Sequence, residues 1–181
     1  MRCARCLALL FAALISPGCL VLSLQPAYDN ESIVSDDALV GSWSNTDDQT
    51  EATIERGEWR SYRITYKDRF ATRTFQGNLT KIGAATFLDL TELRGVDPGP
   101  YLVPVHGVFR VEIAGNTLTA TPFDYSWFSR TIAQKTMVRL SAAVDDRRNA
   151  IVTSPTPEFR RWLAQAPDEA FAASMTFRKI R

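Results

Sequence analysis

The sequence of 181 residues has few of the side chains that build metal sites, disulfides and nucleophilic active sites. It contains three cysteines, at positions 3, 6 and 19, and a single histidine, His106. Because positions 20–181 contain no cysteine, a disulfide framework and a thiolate metal site are excluded there. One histidine leaves too few nitrogen ligands for a zinc site. No cofactor and no metal are expected.

Motifs of covalent catalysis and of phosphate binding are also missing. No Gly-x-Ser-x-Gly segment accompanies His106, and no Gly-rich loop of the phosphate-binding kind occurs. Asp47, Asp48 and Glu51 cluster near the first predicted turn, where a solvated loop explains them. We therefore expect neither an enzyme nor any catalytic residue.

The chain lacks an excess of charge of one sign. Its 21 basic residues face 20 acidic ones. Arg2 and Arg5 precede the first apolar run, and without them 19 basic and 20 acidic residues remain, a net charge of −1. Nucleic-acid binding needs a basic face that offsets phosphate charge, so no nucleic-acid partner is expected.

A long uninterrupted apolar run occurs only near the amino terminus, and it is too short to span a membrane. Residues 7–15 would form a helix of roughly 14 Å, about half of a hydrocarbon core. Arg2 and Arg5 stand before this run, and the small residues Ser16 and Gly18 follow it. This order is typical of a secretory signal. The sequence therefore predicts a signal peptide over residues 1–18 and an exported protein.

The end of this segment, Ser16-Pro17-Gly18-Cys19, resembles the lipobox of bacterial lipoproteins. Gly18 and Cys19 fit that motif, whereas Ser16 and Pro17 depart from it. The resemblance implies that Cys19 is acylated, as by palmitate, and anchors the protein to a membrane of the cell envelope, in the periplasm or at the outer surface. Two alternatives stay open, a soluble secreted protein and an uncleaved membrane anchor.

Behind the signal, two segments with different patterns follow. Residues 19–38 predict the lipidated cysteine and a flexible tether, since they are rich in Ser, Asp and Asn and lack sustained periodicity. From residue 39 onward short alternating segments predict strands, such as the one in which Tyr62, Ile64 and Tyr66 alternate with polar residues. Residues 39–181 are expected to form one domain.

Two helices interrupt the predicted strands. Asp124 is placed to cap the first helix, and Thr156 is predicted as the N-cap of the second, with Pro157 at its first position. Eight or nine short antiparallel strands in sequence favour a meander that curls into a barrel and so removes its edges. The expected fold class is mainly β, a small calyx-like antiparallel barrel with two short helices.

The head of the first strand, Gly41-Ser42-Trp43, resembles the Gly-x-Trp motif of lipocalins. The resemblance implies that Trp43 plugs the closed end of the barrel and that a late basic side chain lies across its ring. Arg139, Arg148 and Arg178 are the candidates for that side chain, and spacing does not choose among them.

A second resemblance covers nearly the whole chain and is to a family of uncharacterised bacterial lipoprotein-type proteins. It implies a lipid-anchored envelope domain and brings no activity with it. The segments that carry it are Leu24-Gln25-Pro26-x-Tyr28, Leu39-Val40-Gly41-x-Trp43, Phe87-Leu88-Asp89-Leu90, Pro104-Val105-His106, the surroundings of Trp127 and residues 156–163.

The candidate ligand site combines inward-facing aromatic side chains with one polar pair. Asp89 is flanked by Leu88 and Leu90, so its carboxylate is expected to be buried and to need a partner, which His106 can provide. This pair is either a polar contact at the base of a ligand cavity or a structural hydrogen-bonded pair. The full candidate set is Tyr62, Tyr66, Phe75, Asp89 and His106.

Two functions remain for the domain. In the first, a lipocalin-like envelope barrel binds a small apolar ligand. In the second, a lipoprotein with a filled barrel has a structural or protein-interaction role and acts through its surface or through the loop at residues 92–103. The state of the barrel interior, hollow or solid, decides between them.

Overall fold

The structure is a computed structural model, and it describes residues 20–93 and 103–180. The predicted signal peptide, Cys19 and the central part of the predicted loop at residues 92–103 lie outside the described residues. The elements in chain order are β1 (Val21–Ser23), β2 (Ile33–Val34), β3 (Gly41–Asn45), β4 (Thr50–Arg56), β5 (Tyr62–Lys67), β6 (Thr72–Ile82), β7 (Ala85–Glu92), β8 (His106–Ala114), β9 (Thr117–Pro122), α1 (Tyr125–Ala133), β10 (Ala142–Val144), β11 (Ala150–Val152), α2 (Thr156–Leu163) and β12 (Met175–Lys179).

Eight of these strands close into an antiparallel barrel, which confirms the expected fold class. Each strand from β3 to β8 pairs with the next strand in the chain. Strand β12 pairs with both β9 and β3 and so closes the sheet. Strand β4 shows why the sequence forms this wall, because Thr50, Ala52 and Ile54 are buried whereas the residues between them are exposed. Such alternation directs one face of a strand to the interior and the other to solvent.

The inside of the barrel forms the first hydrophobic core. Its buried members come from all eight barrel strands and from the short 3-10 helix Asp37–Leu39. They are Leu39, Trp43, Ala52, Ile54, Tyr62, Ile64, Leu79, Leu88, Val111, Leu118, Ala120 and Phe177.

A second hydrophobic core lies outside the barrel, against strands β7 and β8. Phe87 and Val108 project from the outer face of these strands into a layer made by both helices and by β1, β10 and β11. Aromatic rings dominate this layer, and the ring centroids of Phe123 and Phe128 are 5.1 Å apart. Strand β7 is therefore buried on both faces, since Phe87, Leu88 and Asp89 are all buried in succession.

Residues 20–38 are part of the folded domain, so the expectation of a flexible tether is wrong for them. Strand β1 pairs in parallel with β11 and in antiparallel with β8, and β2 pairs with β6. Ala27, between these two strands, has no exposed surface. We call residues 20–36 the strap. The polar side chains that suggested a tether instead form hydrogen bonds and ion pairs with the barrel and with α2.

Side chains of helix α2 hold the strap against the barrel. The guanidinium of Arg160 donates to the Ala27 carbonyl (2.7 Å) and to Thr80 Oγ1 (3.0 Å), and it forms an ion pair with Asp29 (3.2 Å). The Thr156 hydroxyl donates to the Pro26 carbonyl (2.9 Å). These contacts satisfy backbone carbonyls of the strap, most of which lies outside the β-sheet.

The two helix starts differ from each other. Asp124 accepts a hydrogen bond from the Trp127 amide (2.6 Å), so the predicted cap of α1 is confirmed. The predicted cap of α2 is wrong, since Pro155 occupies the N-cap position and no side chain caps the helix. Thr156 instead uses its hydroxyl to bind the strap.

We predict that Arg160→Gln loosens the strap. Loss of charged hydrogen bonds at a largely buried position should lower the free energy of unfolding by about 1.5–3 kcal/mol. Urea unfolding measures this loss, and amide exchange at Ala27 should quicken. The control is Arg161→Gln, because Arg161 is exposed and its one hydrogen bond, 3.3 Å long, reaches the Pro157 carbonyl of its own helix. Equal losses in the two variants would contradict the role given to Arg160.

Candidate functional site

Trp43 lies at the closed end of the barrel, fully buried. Its indole nitrogen donates to the Leu39 carbonyl (2.9 Å), and the Lys179 ammonium lies 5.1 Å from its ring centroid. Lys179 also donates to the Ala38 carbonyl (2.9 Å), so one cation joins the ring to the 3-10 helix. Gly41 has φ of 137°, a backbone conformation that favours glycine. Side chains and the end of the strap cover this end of the barrel around Trp43.

None of the three arginines expected across the Trp43 ring lies there. Arg178 donates to Thr117 Oγ1 (2.7 Å) on the outer face of the barrel, and Arg139 and Arg148 are exposed on other elements. The reason is alternation along β12, which turns Phe177 and Lys179 inward and Arg178 outward. The cation is therefore supplied by Lys179.

Tyr62 is engaged in holding the strap. Its hydroxyl accepts a hydrogen bond from the Asp36 amide (2.7 Å) and lies 3.1 Å from the Asp36 carbonyl, to which it donates. Burial raises the pKa of this hydroxyl above its usual value. The side chain helps to fix the strap across the closed end, and its polar group is already satisfied by the backbone.

The centre of the barrel is filled by packed side chains. A Cβ atom placed on Gly77 would approach Ile64 Cδ1 to 2.8 Å, Leu88 Cδ1 to 3.2 Å and Leu90 Cδ2 to 3.3 Å. Distances under 3 Å are closer than van der Waals contact permits, so even one methyl group has no free space at this position. A side chain at position 77 would have to displace Ile64 and crowd both leucines.

The opposite end of the barrel is less tightly closed. Here lie the β3–β4 and β5–β6 turns, the start of β12 and the connection from β7 to β8, whose central residues are outside the described part. Five large side chains on the inner face near this end are only partly buried. They are Tyr66, Phe75, Leu90, Phe109 and Met175. We call them the mouth residues.

Asp89 and His106 form a buried pair, but they lie on the outer side of the barrel wall. The Asp89 carboxylate accepts from His106 Nδ1 (2.7 Å) and, through its other oxygen, from the Ala27 amide (2.7 Å). Strand alternation turns Leu88 and Leu90 inward and Asp89 outward. The expected contact at the base of an interior cavity is therefore not formed by this pair.

The surroundings of the pair indicate a structural role. An ionised carboxylate only accepts hydrogen bonds, so the imidazole donates from Nδ1, the same atom that lies 3.2 Å from Thr91 Oγ1. The Tyr28 ring meets the imidazole edge-on at 6.5 Å, and burial together with the Asp89 charge raises the pKa of Tyr28. Asp89 thus joins a buried histidine to the backbone of the strap.

The five candidate residues therefore lie in three separate places. Tyr66 and Phe75 lie together near the open end of the interior, Tyr62 lies at the closed end, and Asp89 with His106 lies beneath the strap. Sequence reasoning missed two residues that hold these places together, Lys179 and Arg160. The inward alternation of Met175, Phe177 and Lys179 was a usable signal for the first, whereas no local pattern marks Arg160.

The described surface includes two grooves of several hundred Å³. One of about 880 Å³ lies beside the β6–β7 turn, and its lining combines strap residues 34–36 and the inner-face residues Leu79 and Val111 with outer-face charges such as Arg110. The other, of about 530 Å³, lies beside α1 and α2 and is lined in part by Trp127 and Trp162.

Comparisons with protein families, with curated proteins and with solved structures find no match to this chain. The resemblances to lipocalins and to lipoprotein-type proteins thus stay predictions. Within residues 20–93 and 103–180, no helix has the length and apolarity needed to cross a membrane. In the same part of the chain, no three His, Cys, Asp or Glu side chains are grouped so that they can hold a metal ion.

We predict that Gly77→Ala destabilises the barrel because its new methyl group overpacks the interior. Overpacking of a close-packed core typically costs about 1–3 kcal/mol, which urea unfolding can resolve. Gly107→Ala is the matched control, since its Cβ would meet nothing nearer than Phe109 Cε2 at 3.5 Å, an ordinary contact. Equal stability of the two variants would contradict a filled centre.

Proposed function

We propose that this chain is an exported lipoprotein of a bacterial cell envelope, anchored through Cys19, whose barrel is a filled scaffold that acts on other proteins through its outer surface. The packing around Gly77 carries this proposal, because a calyx that carries an apolar molecule needs a cavity of several hundred Å³. Around Gly77 the side chains of Ile64, Leu88 and Leu90 leave no such space. The groove of about 880 Å³ lies at the barrel end beside the β6–β7 turn and not at this centre.

The contacts around Trp43 support the same proposal. Trp43 and Lys179 lie inside this end of the barrel, and the strap crosses it from outside. Asp89 and His106, which would have been the polar groups of an interior ligand site, instead bind the strap. The anchor itself is supported by the order of charge, apolarity and small residues in the first 19 positions.

A test of the anchor compares the full chain with its Cys19→Ala variant in a bacterial host. We expect labelled palmitate to enter the wild-type protein and not the variant, and the variant to leave the membrane fraction. Pro17→Ala serves as the control, because it keeps the cysteine while changing the segment before it. Palmitate that persists in Cys19→Ala would refute acylation at this residue.

The mouth residues favour a second candidate function, the binding of a small apolar molecule near the open end alone. Partly buried aromatic and aliphatic side chains that share a concave face are typical of ligand sites. This site would be shallow, since the layer beneath it is the packed centre around Gly77.

A binding measurement distinguishes the two functions. For a filled scaffold we expect native mass spectrometry of the purified protein to show the mass of the processed chain alone, and a fluorescent fatty acid to remain unbound. Saturable uptake that Phe109→Ser abolishes would establish the second function instead. The control is Phe70→Ser, because Phe70 is 72% exposed and lies in the β5–β6 turn, outside the mouth residues.

A further inference from the structure

The point at which the membrane-proximal chain enters the fold is fixed by hydrogen bonds. The Leu20 carbonyl accepts from the Ala150 amide (2.8 Å), and the Leu20 amide lies 3.4 Å from Asn149 Oδ1, to which it donates. Strand β1 begins at the next residue and pairs with β11 from Val21 onward. Leu20 is thus held beside the turn that joins β10 to β11.

Almost no chain separates this point from the proposed anchor. Leu20 follows Cys19 directly in the sequence, and consecutive Cα atoms are about 3.8 Å apart, so no spacer separates the fold from the proposed anchor. A flexible spacer would let the domain stand away from a bilayer and turn freely, but the strap is bound to the β10–β11 hairpin from its first described residue and to barrel strand β8 at Ser23. Only one side of the domain can then meet the membrane.

The side chains around Leu20 suit the surface of a bilayer. Leu20 is 61% exposed and Val144 is 42% exposed, although both are apolar. Arg147 and Arg148 are exposed at the tip of the same hairpin, and guanidinium groups bind phosphate oxygens well. We call Leu20, Val144, Arg147 and Arg148 the amino-terminal patch.

We infer that the amino-terminal patch lies against the lipid headgroups, so that the barrel rests on the membrane in one orientation with β4 and β5 facing away from it. This inference rests on the proposed anchor at Cys19. Strand β4 is the fourth strand from β8 in either direction around the barrel, and β1 pairs with β8, so β4 is opposite the patch.

The patch is held by the anchor rather than by its own affinity. Asp145 and Asp146 adjoin the two arginines, and the two negative charges cancel the two positive ones. Hydrogen bonds from the Asn149 backbone and side chain lower the pKa of Asp145, which therefore stays ionised. Surface attraction of a lipid bilayer needs a clear excess of basic charge. This is why Cys19→Ala is expected to leave the membrane.

Thiol labelling in membranes tests the orientation. Arg147→Cys and Arg63→Cys each add a thiol at an exposed arginine, the second on the outer face of β5. Membranes that contain the full-length expressed protein are treated with a water-soluble maleimide before and after detergent is added, and modification of each site is measured by peptide mass spectrometry. We expect labelling of Arg147→Cys to be several-fold slower in membranes than in detergent, and labelling of Arg63→Cys to be unchanged.

A linker variant tests the reason for this protection. Ten Gly and Ser residues inserted between Cys19 and Leu20 have a root-mean-square span of roughly 17 Å, so they should restore fast labelling of Arg147→Cys. Equal labelling of both sites in membranes, with palmitate on Cys19, would overturn the orientation alone. Protection that survives the linker would also overturn it. Protein that lacks palmitate and leaves the membrane would overturn both the anchor and the orientation.

Discussion

The burial of strand β7 on both faces is the constraint on which the rest of this structure depends. Its inner residues, Leu88 and Leu90, belong to the barrel core, whereas Phe87 and Asp89 project outward. The Phe87 ring is unfavourable in water, and once the wall around it is covered, the carboxylate of Asp89 needs hydrogen-bond donors. An isolated barrel exposes the outer face of every strand. This one must cover part of its wall, and the covering layer consists of both helices, β10, β11 and the strap, which includes β1.

The Asp89 carboxylate decides where the strap lies in that layer. A buried carboxylate is stable only where donors surround it, and here those donors are the His106 imidazole and the Ala27 amide. Arg160 completes the arrangement from α2 by binding the carbonyl of the same Ala27. The two backbone groups of one residue are thus held by opposite charges on two different elements.

The barrel was predictable from sequence because its strands are amphipathic, as in the alternation of Tyr62, Ile64 and Tyr66. The role of residues 20–38 was not predictable, since strands of two or three residues joined by polar segments resemble a linker until their partners are known. Asp89 shows a related limit. The run Phe87-Leu88-Asp89-Leu90 indicates burial on both faces, as continuous apolar runs do, but it does not say which face belongs to the barrel interior. The three arginines named as candidates for the cation beside Trp43 did not include Lys179, and only the pairing of β12 with β3 identifies it.

Because the strap is folded onto the domain, an amino-terminal anchor would also restrict how the domain is oriented at a membrane. A tethered domain samples many orientations, so any part of its surface can meet a partner, whereas a strapped domain has its orientation set by the first turn it contacts. If the patch at Leu20 faces the bilayer, then strands β3 to β5, whose outer faces carry the exposed residues Glu51, Thr53 and Arg63, are presented to the surrounding compartment. A filled barrel has no interior cavity that could distinguish one ligand from another. Under the proposed function, specificity comes from this outward wall and from the turns at the end where the mouth residues lie.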